Sequence, residues 1–206
     1  MKKIVFVSLM MADIMKKSHF PVDGNSFIEY KGDVYYAINA VLAQTMTCDD
    51  EIKIVLLQTK GGDDAGEKNA QLFINELNSL NKCEASISYE IIPSEFIETK
   101  DKFKDLYKKL KKILDNDAEL YADVTFGPKS LPLIIFAVMQ FGEKFFDCSI
   151  GNVIYLKAEF KNNKLVEGSQ KIYDYTPLYM LNSFTNTIEC SSAEKAILAV
   201  EALLKD

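Results

Sequence analysis

The strongest constraint on the fold is an alternation of two kinds of apolar segment along the 206-residue chain. One kind is short, nearly continuously apolar and rich in β-branched and aromatic residues, which is typical of a strand covered on both faces. The other kind has apolar residues spaced as on one side of a helix. Strand candidates occupy Lys3 to Leu9, Ile52 to Gln58, Ser86 to Ile92 and Glu119 to Thr125. Because strand and helix alternate four times, the sequence predicts a parallel sheet with helices on both faces.

Helices are predicted between the strands by apolar stripes over residues 34–42, 73–80 and 103–114. The lysines of the third stripe are interpreted as the solvated face of an amphipathic helix, since that is the commoner reason for such a pattern. A fourth helix has Pro132 in its first turn. It is apolar nearly all round over 131–141, so we expect it in the core or at a subunit interface.

The last quarter of the chain predicts a hairpin and a terminal helix. A strand over Asn152 to Phe160 meets a turn at residues 161–164, and the returning arm is expected from Leu165 onward. Ser191 and Glu194 fit a capping box before a final amphipathic helix. The fold class is therefore α/β, a Rossmann-like, mainly parallel sheet with helices on both faces and an antiparallel edge hairpin.

Length and pattern predict a single domain over residues 1–206. Residues 1–150 form the Rossmann-like core, and residues 151–206 form the edge hairpin and the C-terminal helix. The longest apolar run, Leu131 to Met139, is far below the roughly 20 residues that cross a bilayer. No membrane partner is expected.

Composition narrows the possible ligands. A net charge of −6 argues against binding to duplex nucleic acid, which requires a basic surface. Four scattered cysteines and one histidine do not suggest a metal site, and they favour reduced thiols and a cytoplasmic location. No cofactor is predicted. Because the chain contains no arginine, a phosphate would be held by lysine, hydroxyl and backbone N–H groups.

The most informative turn follows the fourth strand candidate. The sequence 123–132, DVTFGPKSLP, places Thr125, Phe126, Gly127, Lys129 and Ser130 between a strand and a buried helix. Ligands of open α/β sheets bind at the carboxyl ends of strands, and the positive end of a helix dipole favours an anion there. The alternative is purely structural, with glycine and proline making the turn and the serine capping the helix.

Two further strand ends carry candidate ligand-binding residues. Ser8 and Met10 follow the first strand, and Thr59, Lys60 and Gly61 follow the second. Three such ends at one edge of a sheet would form a concave, partly positive site on an acidic protein. Neither a G-x-x-x-x-G-K-[ST] loop nor a G-x-G-x-x-G turn is present, which disfavours a nucleoside triphosphatase and an ordinary dinucleotide dehydrogenase.

The segment 121–132, YADVTFGPKSLP, resembles the fourth-strand motif of CARF domains, the CRISPR-associated Rossmann-like sensors of type III systems. That motif is usually Asp, an apolar residue and Thr, then glycine and a basic residue before a helix. Residues 27–40 are similar to that family's long first connection and first helix, and residues 171–178 to the segment after its edge hairpin. The basic residue of the motif is often arginine, whereas this chain has Lys129.

The resemblance implies a cyclic oligoadenylate ligand, either cyclic tetra- or hexa-adenylate, held across the two-fold axis of a homodimer. It also implies an effector, fused or associated, that the bound dimer switches, and residues 193–204 could connect to one. The chain has no Arg-x-x-x-x-His ribonuclease motif. Two alternatives stay open. One is a metal-independent ring nuclease in which Lys129, Ser8 and Thr59 stabilise phosphate charge. The other is a flavodoxin-like or regulatory module that binds another ligand.

Overall fold

A computed structural model describes residues 1–12, 16–60, 65–95, 99–162 and 164–203. It has a seven-stranded, mostly parallel sheet with helices on both faces and a separate two-stranded antiparallel ribbon, so the predicted Rossmann-like α/β class is confirmed. The strands are β1 (Lys2–Ser8), β2 (Val22–Asp23), β3 (Glu51–Lys60), β4 (Ser86–Glu95), β5 (Glu119–Asp123), β6 (Ser149–Lys157), β7 (Phe160–Lys161), β8 (Lys164–Leu165) and β9 (Lys171–Asp174).

The strand order of the large sheet is β2-β9-β6-β5-β1-β3-β4. Strands β4, β3, β1, β5 and β6 run parallel, and β9 runs antiparallel to β6. The chain therefore winds outward from β1 through β3 to β4, and then continues on the other side of β1 with β5 and β6. The winding direction reverses between β1 and β5, and in open α/β sheets a ligand crevice forms at the carboxyl ends of the two strands at such a switch point.

The described residues form six helices, of which the first five pack on the two faces of the sheet. They are α1 (Ala37–Thr45), α2 (Ala65–Leu80), α3 (Lys100–Lys111), α4 (Leu131–Phe145), α5 (Thr176–Thr187) and α6 (Ala193–Leu203), and a short 3-10 helix spans Ser26–Ile28. The alternation of side chains along β1 explains the two hydrophobic cores. Val5 and Val7 pack with α1 and α2 on one face, whereas Ile4 and Phe6 pack with α3, α4 and α5 on the other. This double coverage is why the middle of β1, residues 4–7, is continuously apolar.

The helix predictions hold with two refinements. The exposed lysines of α3 confirm its interpretation as a solvated, amphipathic face. One side of α4 lies in the core through Ile135 and Val138, but Leu133 on the other side is 70% exposed. The terminal helix is capped one residue later than the capping box indicated, because Lys195 N donates to Ser192 Oγ over 3.3 Å.

The C-terminal part of the sheet differs in detail from the predicted hairpin. Residues around Leu165 form the small β7–β8 ribbon, and the strand that pairs with β6 is β9, beginning at Lys171. Beyond β9 lies β2, which comes from the long connection between β1 and α1 and pairs in parallel with β9. Helix α5 was not predicted.

A buried ion pair lies at the edge of the sheet where the parallel strands begin. Lys3 Nζ lies 2.6 Å from Asp50 Oδ2, and both side chains are 2% exposed. Lys3 Nζ also donates to Thr45 O over 2.9 Å, and Asp50 Oδ2 accepts from Thr47 N over 2.8 Å. Because each charge has a partner and a further hydrogen bond, this pair fixes the amino ends of β1 and β3 together.

Candidate functional site

Three strand ends meet around Gly127 at the switch point. A Cβ atom built on Gly127 would lie 3.9 Å from Ser8 Cβ at the end of β1 and 3.7 Å from Thr59 Oγ1 near the end of β3. Gly127 itself follows β5 by four residues. The sequence prediction that residues 8, 59 and 127 come together is therefore matched by their positions. We define the switch-point site as these three residues with Met10, 123–126 and 128–130.

Gly127 is required by the backbone geometry of the turn. Its φ is +88°, which disfavours any residue with a side chain, and an added Cβ would lie 2.9 Å from Leu131 Cδ2. The residue is exposed at the surface. The absence of a side chain at this position permits the close approach of a ligand. It is equally consistent with the structural alternative, in which the glycine only makes the turn.

Ser8 and Thr59 form the floor of the site rather than its surface. Ser8 is fully buried, and its hydroxyl donates to Asp123 O over 3.0 Å. Thr59 is 4% exposed. These hydroxyls therefore stabilise the junction of β1, β3 and β5. Direct contact of either hydroxyl with a ligand would require the turn above it to move.

Thr125 connects β5 to its neighbour. Its Oγ1 accepts a hydrogen bond from Leu156 N over 2.9 Å, and its own N–H donates to Asp123 Oδ1 over 2.9 Å. The side chain is half-buried. The Asp-x-Thr part of the motif therefore has a structural role, because it closes the end of β5 and ties it to β6.

The accessible rim of the site consists of the turn and the start of α4. Lys129 is exposed and forms no ion pair within the described ranges, whereas Met10, Phe126 and Ser130 are half-buried. Phe126 packs against the core on the α1 and α2 side. Lys129 is thus positioned to offer an ammonium group to an anion.

The start of α4 has fewer free donors than the sequence suggested. Leu131 N donates to Pro128 O over 2.9 Å, and Pro132 has no N–H. The side chain of Ser130 makes no capping hydrogen bond. Ser130 therefore occupies the N-cap position of α4, as the structural alternative expects, but without the side-chain bond of a cap. An anion here would rely on the lysine and the helix dipole more than on a row of N–H groups.

Asp123 is the residue of this site that sequence reasoning did not identify as a candidate. Its carboxyl is 1% exposed, and Oδ2 has no hydrogen-bond partner within the described part of the chain. Burial raises the pKa of Asp123 to about 6, although hydrogen bonds from Thr125 partly offset the rise. Buried acids with an unusual pKa are concentrated at functional sites. The available sequence signal was an acidic residue at the end of an otherwise apolar strand.

The amino terminus of α1 is closed to a ligand. The buried Glu76 carboxylate of α2 accepts hydrogen bonds from Tyr35 N over 2.7 Å and from Tyr36 N over 3.1 Å. It also accepts from Asn39 Nδ2 over 3.0 Å. In a dinucleotide-binding fold the pyrophosphate lies at the first helix, so this internal carboxylate excludes that mode of binding.

The loop after β1 is held in place by Asn69 of α2. Asn69 Nδ2 donates to Met10 O over 2.7 Å and to Ala12 O over 2.9 Å, and the residue is 2% exposed. Because this amide fixes the loop, Met10 is positioned at the rim by the fold. Sequence reasoning missed Asn69, since its role depends on a contact across 59 residues.

Two candidate residues remain without a structural outcome. Lys60 is the last residue of β3, and Gly61 lies outside the described residues.

Within the described ranges, no group of three or more His, Cys, Asp and Glu side chains could hold a metal ion. None of the helices described is both long and apolar enough to cross a bilayer.

Comparison with known proteins gives no independent assignment. No protein-family model matches the chain, and no curated protein has a significantly similar sequence.

Proposed function

We propose that this protein binds a small phosphate-bearing nucleotide at the switch-point site. The observation that carries the proposal is the convergence of three strand ends on Gly127, directly beside the exposed Lys129 at the start of α4. The positive end of the helix dipole and an ammonium group together favour an anion at this point. The closed amino terminus of α1 leaves the start of α4 as the better phosphate site.

The resemblance of residues 121–132 to CARF domains makes cyclic oligoadenylate the proposed ligand. The proposed assembly is a homodimer in which each subunit offers the same turn to a pseudo-symmetric ring. The ligand contacts come from the rim, with Lys129, Gly127, Met10, Phe126 and Ser130. Ser8 and Thr59 support that rim from below. The bound dimer then acts as the sensor of an antiviral type III CRISPR response.

Sensing is favoured over ring cleavage by the burial of the floor residues. A metal-independent nuclease needs groups that stabilise charge on the reacting phosphate, and Ser8 and Thr59 were the expected donors beside Lys129. The Ser8 hydroxyl instead donates to a backbone carbonyl, and Thr59 is 4% exposed. Binding requires only the accessible rim, whereas cleavage would require that floor to open.

Titration of labelled cyclic tetra-adenylate into wild type, Lys129→Ala and Lys82→Ala tests the binding site. Losing a charge-assisted contact to phosphate costs about 1.5–3 kcal/mol, which is about ten- to a hundredfold in affinity. We expect that loss for Lys129→Ala. Lys82 is an exposed lysine between α2 and β4, at the opposite edge of the sheet, so its variant should bind like wild type. Equal affinity of all three proteins would remove Lys129 from the site.

Incubation with cyclic tetra- and hexa-adenylate, with and without a chelator, tests the nuclease alternative. A sensor returns the intact ring after prolonged incubation. Linear products that persist in the presence of chelator would show the metal-independent nuclease instead.

A further inference from the structure

Helix α6 displays apolar side chains that the described part of the chain does not cover. Ile197 is 58% exposed and Leu198 is 64% exposed. No residue from Ala193 to Ala202 is buried. Isolated helices shorter than about 12–15 residues are marginal in water, and most of their stability in proteins comes from packing an apolar face. The 11 residues of α6 therefore need a partner surface.

A matching groove lies between α3 and α4. It has a volume of about 350 Å³ and is lined mainly by Phe103, Tyr107, Leu133, Ile134 and Ala137. Leu133 on its wall is 70% exposed. A groove of this composition fits an amphipathic helix that inserts its apolar side.

Charge complementarity connects the two surfaces. Helix α3, which forms one wall of the groove, contains six lysines and two aspartates, a net charge of +4. Helix α6 contains two glutamates and one lysine, a net charge of −1. Opposite charges around an apolar contact steer association and fix its orientation.

We propose that α6 of one chain packs into the α3–α4 groove of a second copy of the same chain. In the proposed dimer the exchange is reciprocal, so that each chain gives its α6 to the groove of the other and the two contacts close about a two-fold axis. Ser130 lines the groove and also belongs to the switch-point site, so the second copy would lie beside the rim of that site. The contact does not depend on any ligand, and its test is separate from the test of nucleotide binding.

Sedimentation equilibrium of the full chain tests this dimer with three variants. Leu133→Glu introduces a charge into the groove, and Ile197→Glu introduces one into the helix. Losing one buried aliphatic contact weakens binding about ten- to a hundredfold, and each contact occurs twice in the dimer. Both variants should therefore be monomeric at concentrations where wild type is dimeric. Phe160→Glu, at a 69% exposed residue of the β7–β8 ribbon, is the matched control and should stay dimeric.

Mixing the two monomeric variants gives the decisive result. The Leu133→Glu chain retains its helix and the Ile197→Glu chain retains its groove, so a mixed dimer keeps one intact contact. We expect this mixed dimer to associate about ten- to a hundredfold more tightly than either variant alone. Unchanged circular dichroism spectra establish that the variants are folded.

Three results would overturn the proposal. First, if the wild-type chain stays monomeric at about 100 μM, its self-association is too weak to count as a specific dimer. A dimer broken by Leu133→Glu but not by Ile197→Glu would indicate a symmetric contact through α4. Loss of the dimer in both variants without recovery on mixing would likewise exclude the exchange of α6.

Discussion

Replacing Asp123 by asparagine should change the way in which stability depends on pH. Burial raises the pKa of this carboxyl from 3.8 to about 6. Between about pH 4 and pH 6 the folded chain therefore keeps a proton that the unfolded chain has released, so stability falls as the pH rises through this window. Above about pH 6 the carboxylate is ionised in both states, and the free energy of unfolding stays lowered by the full cost of burying that charge.

The size of the effect follows from the difference between the two pKa values. Each pKa unit corresponds to 1.36 kcal/mol, so a rise of about two corresponds to about 3 kcal/mol. Asparagine cannot ionise, and its Oδ1 can still accept from Thr125 N. The variant should therefore gain about 3 kcal/mol relative to wild type between about pH 4 and about pH 7.5.

Urea unfolding of both proteins across this pH range measures the difference directly. Other titrating groups are common to the two proteins, so their contributions cancel in the comparison. A difference that stays constant with pH would refute the reasoning, because it would show that folding does not shift the pKa of Asp123. A buried acid with a raised pKa is a feature that is concentrated at functional sites.

Three further changes test other parts of the structure. Lys3→Met should lower the free energy of unfolding by about 1.5–3 kcal/mol at pH 7, because it removes the closer cation of the buried Asp50 and leaves only the Met1 ammonium, 3.4 Å from Asp50 Oδ1. A loss of less than about 1 kcal/mol in urea unfolding would show that the ion pair is unimportant. Gly127→Ala should lower the melting temperature more than Gly168→Ala. Both glycines have a positive φ, but of the two only Gly127 has an atom, Leu131 Cδ2, where the added Cβ would lie. Equal shifts of the melting temperature would contradict this steric argument. Glu76→Gln should increase the rate of amide hydrogen exchange at Tyr35 and Tyr36, because it weakens the charge-assisted hydrogen bonds that these two N–H groups donate before α1. Unchanged exchange rates would show that the Glu76 carboxylate does not hold this segment.

The central strands could be predicted because their sequence pattern records their surroundings. A strand covered by helices on both faces is apolar along much of its length, and the continuous buried apolar runs at 4–7 of β1 and 54–57 of β3 satisfy this condition. The turn after β5 was predictable for a similar reason, since glycine and proline mark a change of backbone direction. The gathering of residues 8, 59 and 127 then followed from the general geometry of parallel sheets.

The features that the sequence did not predict, helix α5 and the pairing of β9, depend largely on contacts between distant residues. Helix α5 mixes polar and apolar residues, so it has no clear apolar stripe. Its best sequence signal was the pair Thr176-Pro177 at its start, preceded by Asp174, whose Oδ1 accepts a hydrogen bond from Thr176 N. The pairing of β9 with both β6 and β2 depends on three segments far apart in the chain. Local propensity carries no information about such partners.

Burial separates the candidate site residues in a way that the sequence could not. Ser8 and Lys129 both follow strands and both carry polar groups, yet one is fully buried and the other is exposed. The difference arises because β1 is central, with β3 and β5 on either side, whereas Lys129 lies in the turn that leaves the sheet. The orphaned oxygen of Asp123 is equally a product of three-dimensional packing.

Nuclear magnetic resonance of the ¹⁵N-labelled protein, titrated with cyclic tetra-adenylate, tests the central claim most directly. We predict that the largest amide shifts occur at Met10, Gly127 and Lys129, at the rim of the switch-point site, with little change at Tyr36 beside the closed start of α1. Largest shifts at Tyr36 and the first turn of α1, or no shifts at any ligand concentration, would contradict the proposed binding site.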